Sequence, residues 1–493
     1  MLPTGPDHPP GLSGLRVAFH AAGYRPPGVQ SLLGLSGEVG VTPAELVIHE
    51  RRLASNAGPL ADLVALLTLG APVPTARAAA ALGVAGLDAL VKAGALVEDA
   101  DSVRPEVRLM PHGDVWLASD LRTAPGAAAD RWHVTSINAP ATLLAAMTVR
   151  RDDGRGLDIG TGNGIQAILL SQHCTEVTAT DVNPRALRFA QFNAVLNGCA
   201  NIDFRLGDLF EPVAGERFDV VVSNPPYVIS PENEVAFRDS GQEPGALCAE
   251  LVGAVPSHLA ADGYATVLAS WPVSPGRSWV EVPAGWLGGD CEAWLLQFSA
   301  DDPLRHAREW NSPLALAGDL DGFAAAVDRW VSYADSHDID LIGYGAVLVH
   351  QRPGPAAVVR ADQVRIGYGT AGGQIQRVFA ANRDLARLGE DLSDLRCSIA
   401  EEHRVQRAVR YVDGEWASGE SSVTLDAGVG LEVGLDPVLG EVFFELAAGR
   451  SLSEAVADVG LRADLADAEL DRLAAAGQAV ARQLVSLGIL IPR

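Results

Sequence analysis

The spacing of apolar residues changes character along the chain, and each change marks a region. Residues 12–95 carry apolar positions at helical spacing. "TPAELVIHE" predicts a helix with Thr42 as N-cap, Pro43 at the first helical position and Glu45 closing a capping box. "GPLADLVALLTLG", "PTARAAAALG" and "AGLDALVKAGALVED" predict three more short helices with tight connections. "SVRPEVRLMPHGDVWLAS" then alternates with a period of two, which predicts a β-hairpin. After a flexible start at 1–12, helices followed by a hairpin describe a winged-helix shape over residues 13–120.

From 121 to 353 short apolar runs alternate with helical stretches. "GRGLDIGTG", "EVTATDVN", "IDFRLGD", "FDVVVSNPPY" and "GYATVLASW" read as strands, and "PRALRFAQFNAVLNG" as a helix between two of them. This is the βαβ rhythm of an α/β, doubly wound, Rossmann-like parallel sheet. "CEAWLLQFSADD" and "GYGAVLVHQRP" predict a terminal antiparallel pair, with a helical excursion at 320–335. Residues 354–430 mix helix with short strands. Residues 431–493 predict a second winged-helix-like unit: "SLSEAVADVG" carries a capping box, Ser451 with Glu454, and the end of the chain partly echoes "LVKAGALVED".

Composition narrows the picture only in places. A length of 493 residues suggests about three domains, and 48% apolar with 20% charged residues fits a globular protein. The formal charge of −25 disfavours broad, sequence-independent nucleic-acid binding, which needs a basic face. Lys92 is the only lysine. Five cysteines with no C-x-x-C argue against a disulfide framework or a structural zinc, and fit a reducing cytoplasm. The start has no signal-peptide pattern, and no run of 18 apolar residues predicts a membrane span. A cytoplasmic location is therefore expected, with no metal.

The candidate chemistry sits at the ends of successive strands. In "LDIGTGNGIQAILLS" a strand ends at Asp158, and Gly160, Gly162 and Gly164 let the backbone turn tightly beneath a ligand before a helix begins. The next strand ends at Asp181, a position where a carboxylate can accept from both hydroxyls of a ribose; the competing reading is an N-cap for the helix after Pro184. The third ends at "GDLF", where Asp208 could take an exocyclic amine, with Leu209 beside the ring. The fourth ends in Asn224-Pro225-Pro226-Tyr227. Two prolines fix the backbone and donate no hydrogen bond, leaving the Pro225 carbonyl beside the Asn224 amide oxygen. Two acceptors side by side suit an NH₂ group, and the Tyr227 ring offers a face for a flat one. The competing reading is a strand-terminating turn.

"LDIGTGNG", "TATDVNP", "GDLF" and "FDVVVSNPPYV" together resemble the motifs of class I S-adenosylmethionine-dependent methyltransferases. Within that class they resemble the group holding HemK/PrmC-type protein-glutamine N5 methyltransferases and N6-adenine methyltransferases. The resemblance covers residues 130–300, and more loosely reaches 353. It implies that S-adenosyl-L-methionine is the cofactor. Asp158, Gly160, Thr161, Gly162 and Gly164 would line its methionine part, Asp181 the ribose, and Asp208 with Leu209 the adenine, with Asn224 also at the cofactor. Asn224, Pro225 and Tyr227 would serve transfer, with Pro226 and Tyr227 holding the acceptor. "INAPATLL", from Asn138 to Leu144, stands where the family closes over the cofactor. The long C-terminal extension departs from the HemK-type pattern, and guanine-N2 methyltransferases with Asn-Pro-Pro-Phe-His are less alike.

The expected acceptor is a glutamine-containing protein. The alternatives are an amino group of a nucleobase in RNA or DNA, and a non-catalytic winged-helix interaction protein that retains the cofactor. For nucleic acid, the most basic stretch is "EEHRVQRAVRY", where Arg404, Arg407 and Arg410 could line one helix face, with pairing to Glu401 and Glu402 as the bland reading. His133 and His173 read as ordinary histidines. Gly372-Gly373-Gln374 matches the tripeptide that HemK-type enzymes methylate in release factors, which raises automethylation at Gln374 as a remote expectation.

Overall fold

A computed structural model describes residues 11–35, 43–121, 130–232, 242–354, 356–364 and 370–493. Thr42, the expected N-cap, lies outside them; the helix that follows runs Pro43–Ala54. The other N-terminal helices form where expected, and a three-stranded antiparallel sheet of Val73–Pro74, Ser102–Pro105 and Leu96–Asp99 closes that layer. The expected hairpin is divided. Ser102–Pro105 pairs back with Leu96–Asp99, and the true hairpin is Val107–His112 with Val115–Asp120.

The central domain begins with α1 (Ala139–Met147) and then alternates: β1 (Arg155–Ile159), α2 (Ile165–Leu170), β2 (Glu176–Asp181), α3 (Pro184–Asn197), β3 (Ile202–Leu206), β4 (Phe218–Ser223), α4 (Ala246–His258) and β5 (Leu259–Val273). There follow β6 (Cys291–Asp301), α5 (Pro303–Leu316), α6 (Leu320–Ser336), β7 (Leu341–Gln351) and β8 (Ala357–Gln363). The eight strands form one sheet in the order β8-β6-β7-β5-β4-β1-β2-β3. Strands β1 to β5 run parallel, and β7 inserts antiparallel between β5 and β6, as the sequence pattern predicts. The strand order reverses between β1 and β4, so a crevice opens where their C-terminal ends part. The sheet continues past residue 353, because β8 pairs in parallel with β6.

Both faces of the sheet are covered, so its strands read as continuous apolar runs rather than alternations. Leu157, Val221, Val267 and Leu295 pack on one side, and Val177, Val220, Val222 and Leu268 on the other. The N-terminal layer shares a core with α3 through Phe189, Phe192 and Leu196. Two asparagines one helical turn apart complete that join. Asn193 accepts from Ala118 N at 2.7 Å and donates to its carbonyl at 2.9 Å. Asn197 does the same for Trp116 at 2.9 and 2.7 Å. Each amide satisfies one N–H and one C=O of a strand that would otherwise end unpaired against a helix.

Beyond the sheet, the helix Gly372–Leu388 leads to a three-stranded antiparallel sheet and three helices, Pro437–Ala447, Leu452–Arg462 and Asp467–Ser486. The capping box of Ser451 and Glu454 is present. Residues 403–412 are a strand, not the helix that Arg404, Arg407 and Arg410 suggested. The β-branched Val405 and Val409 favour extension, and Asp413-Gly414, at φ 53° and 90°, makes the two-residue turn of a hairpin with Glu415–Leu425. Arg404 pairs with Asp426 at 2.6 Å and Arg407 with Glu441, so neither pairs with Glu401 or Glu402.

Gln374 is 2% exposed. Its amide donates to the Leu487 carbonyl at 2.9 Å and accepts from Val429 N at 2.9 Å. An added methyl would require opening this packing, so Gly-Gly-Gln is a joint between the central sheet and the C-terminal helices.

Candidate active site

A cavity of about 530 Å³ opens at the C-terminal ends of β1, β2, β3 and β4. Its walls include Asp158, Gly160, Thr161, Gly162, Asp181, Asp208, Leu209, Asn224, Pro225, Pro226 and Tyr227. The sequence pattern therefore places eleven residues on one cavity.

The glycine turn after β1 is tied to the end of β2. Gly160 N and Thr161 N both donate to the Thr180 carbonyl, at 2.9 and 3.0 Å. Gly160 and Gly162 have φ of 70° and 56°, the left-handed region where a side chain is costly. The space where a Cβ would stand is open at both. Gly164 is a correction. At φ 86° its Cβ would fall 2.9 Å from Ala190 Cα, so its smallness lets α2 approach α3, and it is not part of the cavity wall.

Asp158 is buried, and its Oδ2 accepts from Thr161 Oγ1 at 2.6 Å and from Ala167 N at 3.0 Å. Burial pushes its pKa up to about 7 against those hydrogen bonds. Asp181 accepts from Gly162 N at 2.9 Å and from Asn183 N at 2.8 Å, and desolvation raises its pKa as well. The N-cap of α3 is Asn183, whose side chain accepts from Arg185 N. Asp181 is thus not the cap, which removes the competing reading. Asp208 is exposed at the rim, and Leu209 holds φ 41°, an uncommon conformation for a branched side chain.

At the far end, β4 is held to β1 by Ser223 Oγ donating to the Ile159 carbonyl at 2.9 Å. Asn224 and Pro225 follow immediately. Among the described residues no hydrogen bond reaches the Asn224 side chain or the Pro225 carbonyl. The Tyr227 carbonyl accepts from Ser270 Oγ, and burial pushes the Tyr227 phenol up to about 12.

Two parts of the wall carry no recognisable motif. Residues 131–137 pass over the cavity, held by Val134, whose N–H donates to the Asp120 carboxylate at 2.8 Å and whose carbonyl accepts from Asp120 N at 3.0 Å, and by Asn163 Nδ2 donating to the Thr135 carbonyl at 3.2 Å. His133 belongs to this strap, beside Asp120, whereas His173 lies away from the cavity. Asn138 caps α1 by accepting from Ala141 N, which sets the "INAPATLL" helix against the opening. Trp310, from α5, joins the wall beside Val228. Among the described residues no group of His, Cys, Asp or Glu could hold a metal, and no helix is long and apolar enough to cross a membrane.

Strand order and cavity together place a ligand crevice at the strand reversal of an open, doubly wound sheet. Residues 135–270 match the family model described as Methyltransferase small domain, and residues 21–106 one described as Domain of unknown function (DUF7059). Among curated proteins, the chain is 34% identical over 147 residues to a release factor glutamine methyltransferase of Xylella fastidiosa, covering 26% of this chain and 53% of that one. It is 34% identical over 122 residues to a putative protein N5-glutamine methyltransferase of Methanocaldococcus jannaschii, covering 23% and 60%. A release factor glutamine methyltransferase of Bordetella pertussis is 36% identical over 130 residues, covering 24% and 48%. The chain spans about half the length of the curated relatives it matches.

Proposed function

We propose that the protein is an S-adenosylmethionine-dependent methyltransferase that acts on a glutamine amide nitrogen of a protein. The observation that carries this reading is the pair of open acceptors, Asn224 Oδ1 and the Pro225 carbonyl, on a cavity wall that runs on through the adjoining glycine turn after β1 to Asp208 after β3. A cavity of this size falls within the range of small-molecule sites. The open space at Gly160 and Gly162 leaves room for a ligand against bare backbone. Three carboxylates on one wall, Asp158, Asp181 and Asp208, favour a cationic ligand. Asp181 would take the ribose, and Asp208 with Leu209 the adenine.

When bound, the cofactor supplies an electrophilic methyl on a sulfonium. An amide nitrogen is a poor nucleophile because its lone pair is delocalised. Asn224 and Pro225 would accept its two N–H groups, hold the nitrogen and favour a pyramidal lone pair, while Tyr227 orients its plane. Transfer would form the N–C bond as the C–S bond breaks, and the nitrogen held by Asn224 and Pro225, made cationic, would release its proton to solvent. No catalytic base is required.

A protein acceptor is supported by the protein-glutamine activity for which the relatives are named and by charge. Next to the acceptor end a small pocket beyond Tyr227 is lined by Glu243 and Tyr333, and no arginine joins them among the described residues. The test is incubation with methyl-labelled S-adenosylmethionine and extract from cells lacking the protein, with Asn224→Ala as control. Label released by protease alone is expected. Label released by nuclease alone would overturn the protein acceptor, and no label would overturn the enzyme.

A further inference from the structure

Between β6 and β7 the chain leaves the sheet for α5 and α6, and these helices grip the segment that follows Asn224-Pro225-Pro226. Val228 is buried against Ala307, Trp310 and Trp330. A chain of polar contacts runs through the same place. Trp310 Nε1 lies 3.5 Å from the Tyr344 hydroxyl, that hydroxyl contacts His306 Nδ1, and His306 Nε2 lies 2.7 Å from the Ile229 carbonyl.

Chemistry gives this chain one direction. A carbonyl can only accept, so Nε2 of His306 carries the proton. Burial pushes the imidazole pKa down to about 4, which keeps the ring neutral and makes Nδ1 an acceptor. Tyr344 must then donate to His306, which leaves its oxygen to accept from the Trp310 indole. Tyr344 comes from β7, where it lies opposite Ser270 of β5, and Ser270 Oγ holds the Tyr227 carbonyl. The carbonyls of Tyr227 and Ile229, on either side of Val228, are thus tethered to two different elements.

We propose that Trp310 is an acceptor-recognition residue, and that His306 and Tyr344 are positioning residues that lock the indole and the Asn-Pro-Pro-Tyr segment into one rigid unit. Trp310 lines the cavity beside Val228, the residue after Tyr227, so it would meet the part of the acceptor just beyond the reacting nitrogen. The inference rests on the glutamine reading above, and it assigns the specificity of that site to the helices inserted between β6 and β7. A flat apolar wall suits the aliphatic stem and backbone of a glutamine peptide.

The experiment separates acceptor binding from transfer. Full-length protein saturated with S-adenosylhomocysteine is titrated into a fluorescent Gly-Gly-Gln peptide and, separately, a fluorescent single-stranded oligonucleotide, both read by anisotropy. Wild type is expected to bind the peptide, and Trp310→Ala to weaken it tenfold or more, with S-adenosylhomocysteine affinity by calorimetry unchanged within twofold. In methyl transfer to the peptide, Trp310→Ala should raise KM, whereas Tyr344→Phe, which breaks the chain at its middle, should lower kcat three- to tenfold. His306→Gln, which keeps a donor for the Ile229 carbonyl, should recover part of the kcat that His306→Ala loses. Unchanged peptide binding in Trp310→Ala overturns the inference, as does a Tyr344→Phe enzyme within twofold of wild type, or a wild type that binds neither probe. A wild type that binds peptide through Trp310 yet transfers no methyl sinks the proposed function and leaves the recognition role standing. Trp310-dependent binding of the oligonucleotide alone overturns the peptide as acceptor.

Discussion

The two ends of the cavity are built by different means. The proposed donor end consists of backbone and short carboxylates at the tips of β1, β2 and β3, and its residues fall within about 50 positions of one another. Its polar groups are already engaged: Asp158 with Thr161 and Ala167, Asp181 with Gly162 and Asn183. The acceptor end consists of Asn224 and Pro225, whose oxygens are open, set in a segment held by residues from β5, β7 and α5. A pre-satisfied end costs little to hold in shape and can be shared by many enzymes. An end with open acceptors buried beside aromatic rings pays a desolvation penalty that only a ligand relieves, and that is where the proposed function puts specificity.

The sharpest way to break this comparison is Asn224→Ala. It deletes one open acceptor and touches none of the donor-end hydrogen bonds. Transfer should fall by about 100-fold or more, while S-adenosylhomocysteine affinity measured by calorimetry stays within about threefold. A parallel loss of affinity would mean that the two ends are one site.

Next in size is the contrast within the glycine turn. Gly164→Ala forces a Cβ to within 2.9 Å of Ala190 Cα at a positive φ, and should cost about 2–4 kcal/mol of stability. Gly162→Ala meets no neighbour and should cost only about 1–2 kcal/mol through its φ, yet its methyl projects into open space and should weaken donor binding the more of the two. Denaturant melts and calorimetry on both variants decide this. Equal stability losses would contradict the separate roles.

The same contrast explains what the sequence disclosed. The donor end and Asn224 to Tyr227 were legible because strand, turn and acid are local, and a parallel sheet gathers successive strand tips at one edge. The pattern did not say which way each glycine faces, so Gly164 was grouped with Gly160 and Gly162. Trp310 was not legible at all: it lies on a helix inserted far from the strand tips in sequence, and the contact that anchors that helix, His306 with Ile229, spans 77 positions. The strap at 131–137 has no periodicity, since its backbone is satisfied by single side chains rather than by a ladder. Arg404, Arg407 and Arg410 misled because a spacing of three looks helical, whereas a bulge between Arg407 and Val409 shifts the strand's alternation.

Per pH unit, the smallest expected effect concerns Asp158, which stands at the boundary between fold and site. Its folded pKa of about 7 lies above the ordinary carboxylate value of 3.8 because it is buried. A raised pKa means that the folded state holds a proton the unfolded state has released. The associated stability is therefore full below about pH 4 and is lost as pH rises toward 7. In the absence of cofactor, stability should decline by about 1 kcal/mol per pH unit across that window, and Asp158→Asn should remove the decline while keeping an acceptor for Thr161 and Ala167. Melting temperatures at pH 5, 6, 7 and 8 for the two proteins read this directly. A cationic ligand beside Asp158 favours its ionised form, so cofactor binding near pH 6 should release a proton. Calorimetry in two buffers of different ionisation enthalpy would detect that proton in the wild type and none in Asp158→Asn. Proton release equal in both would show that Asp158 serves the turn alone, and would move the donor end wholly to the side of structure.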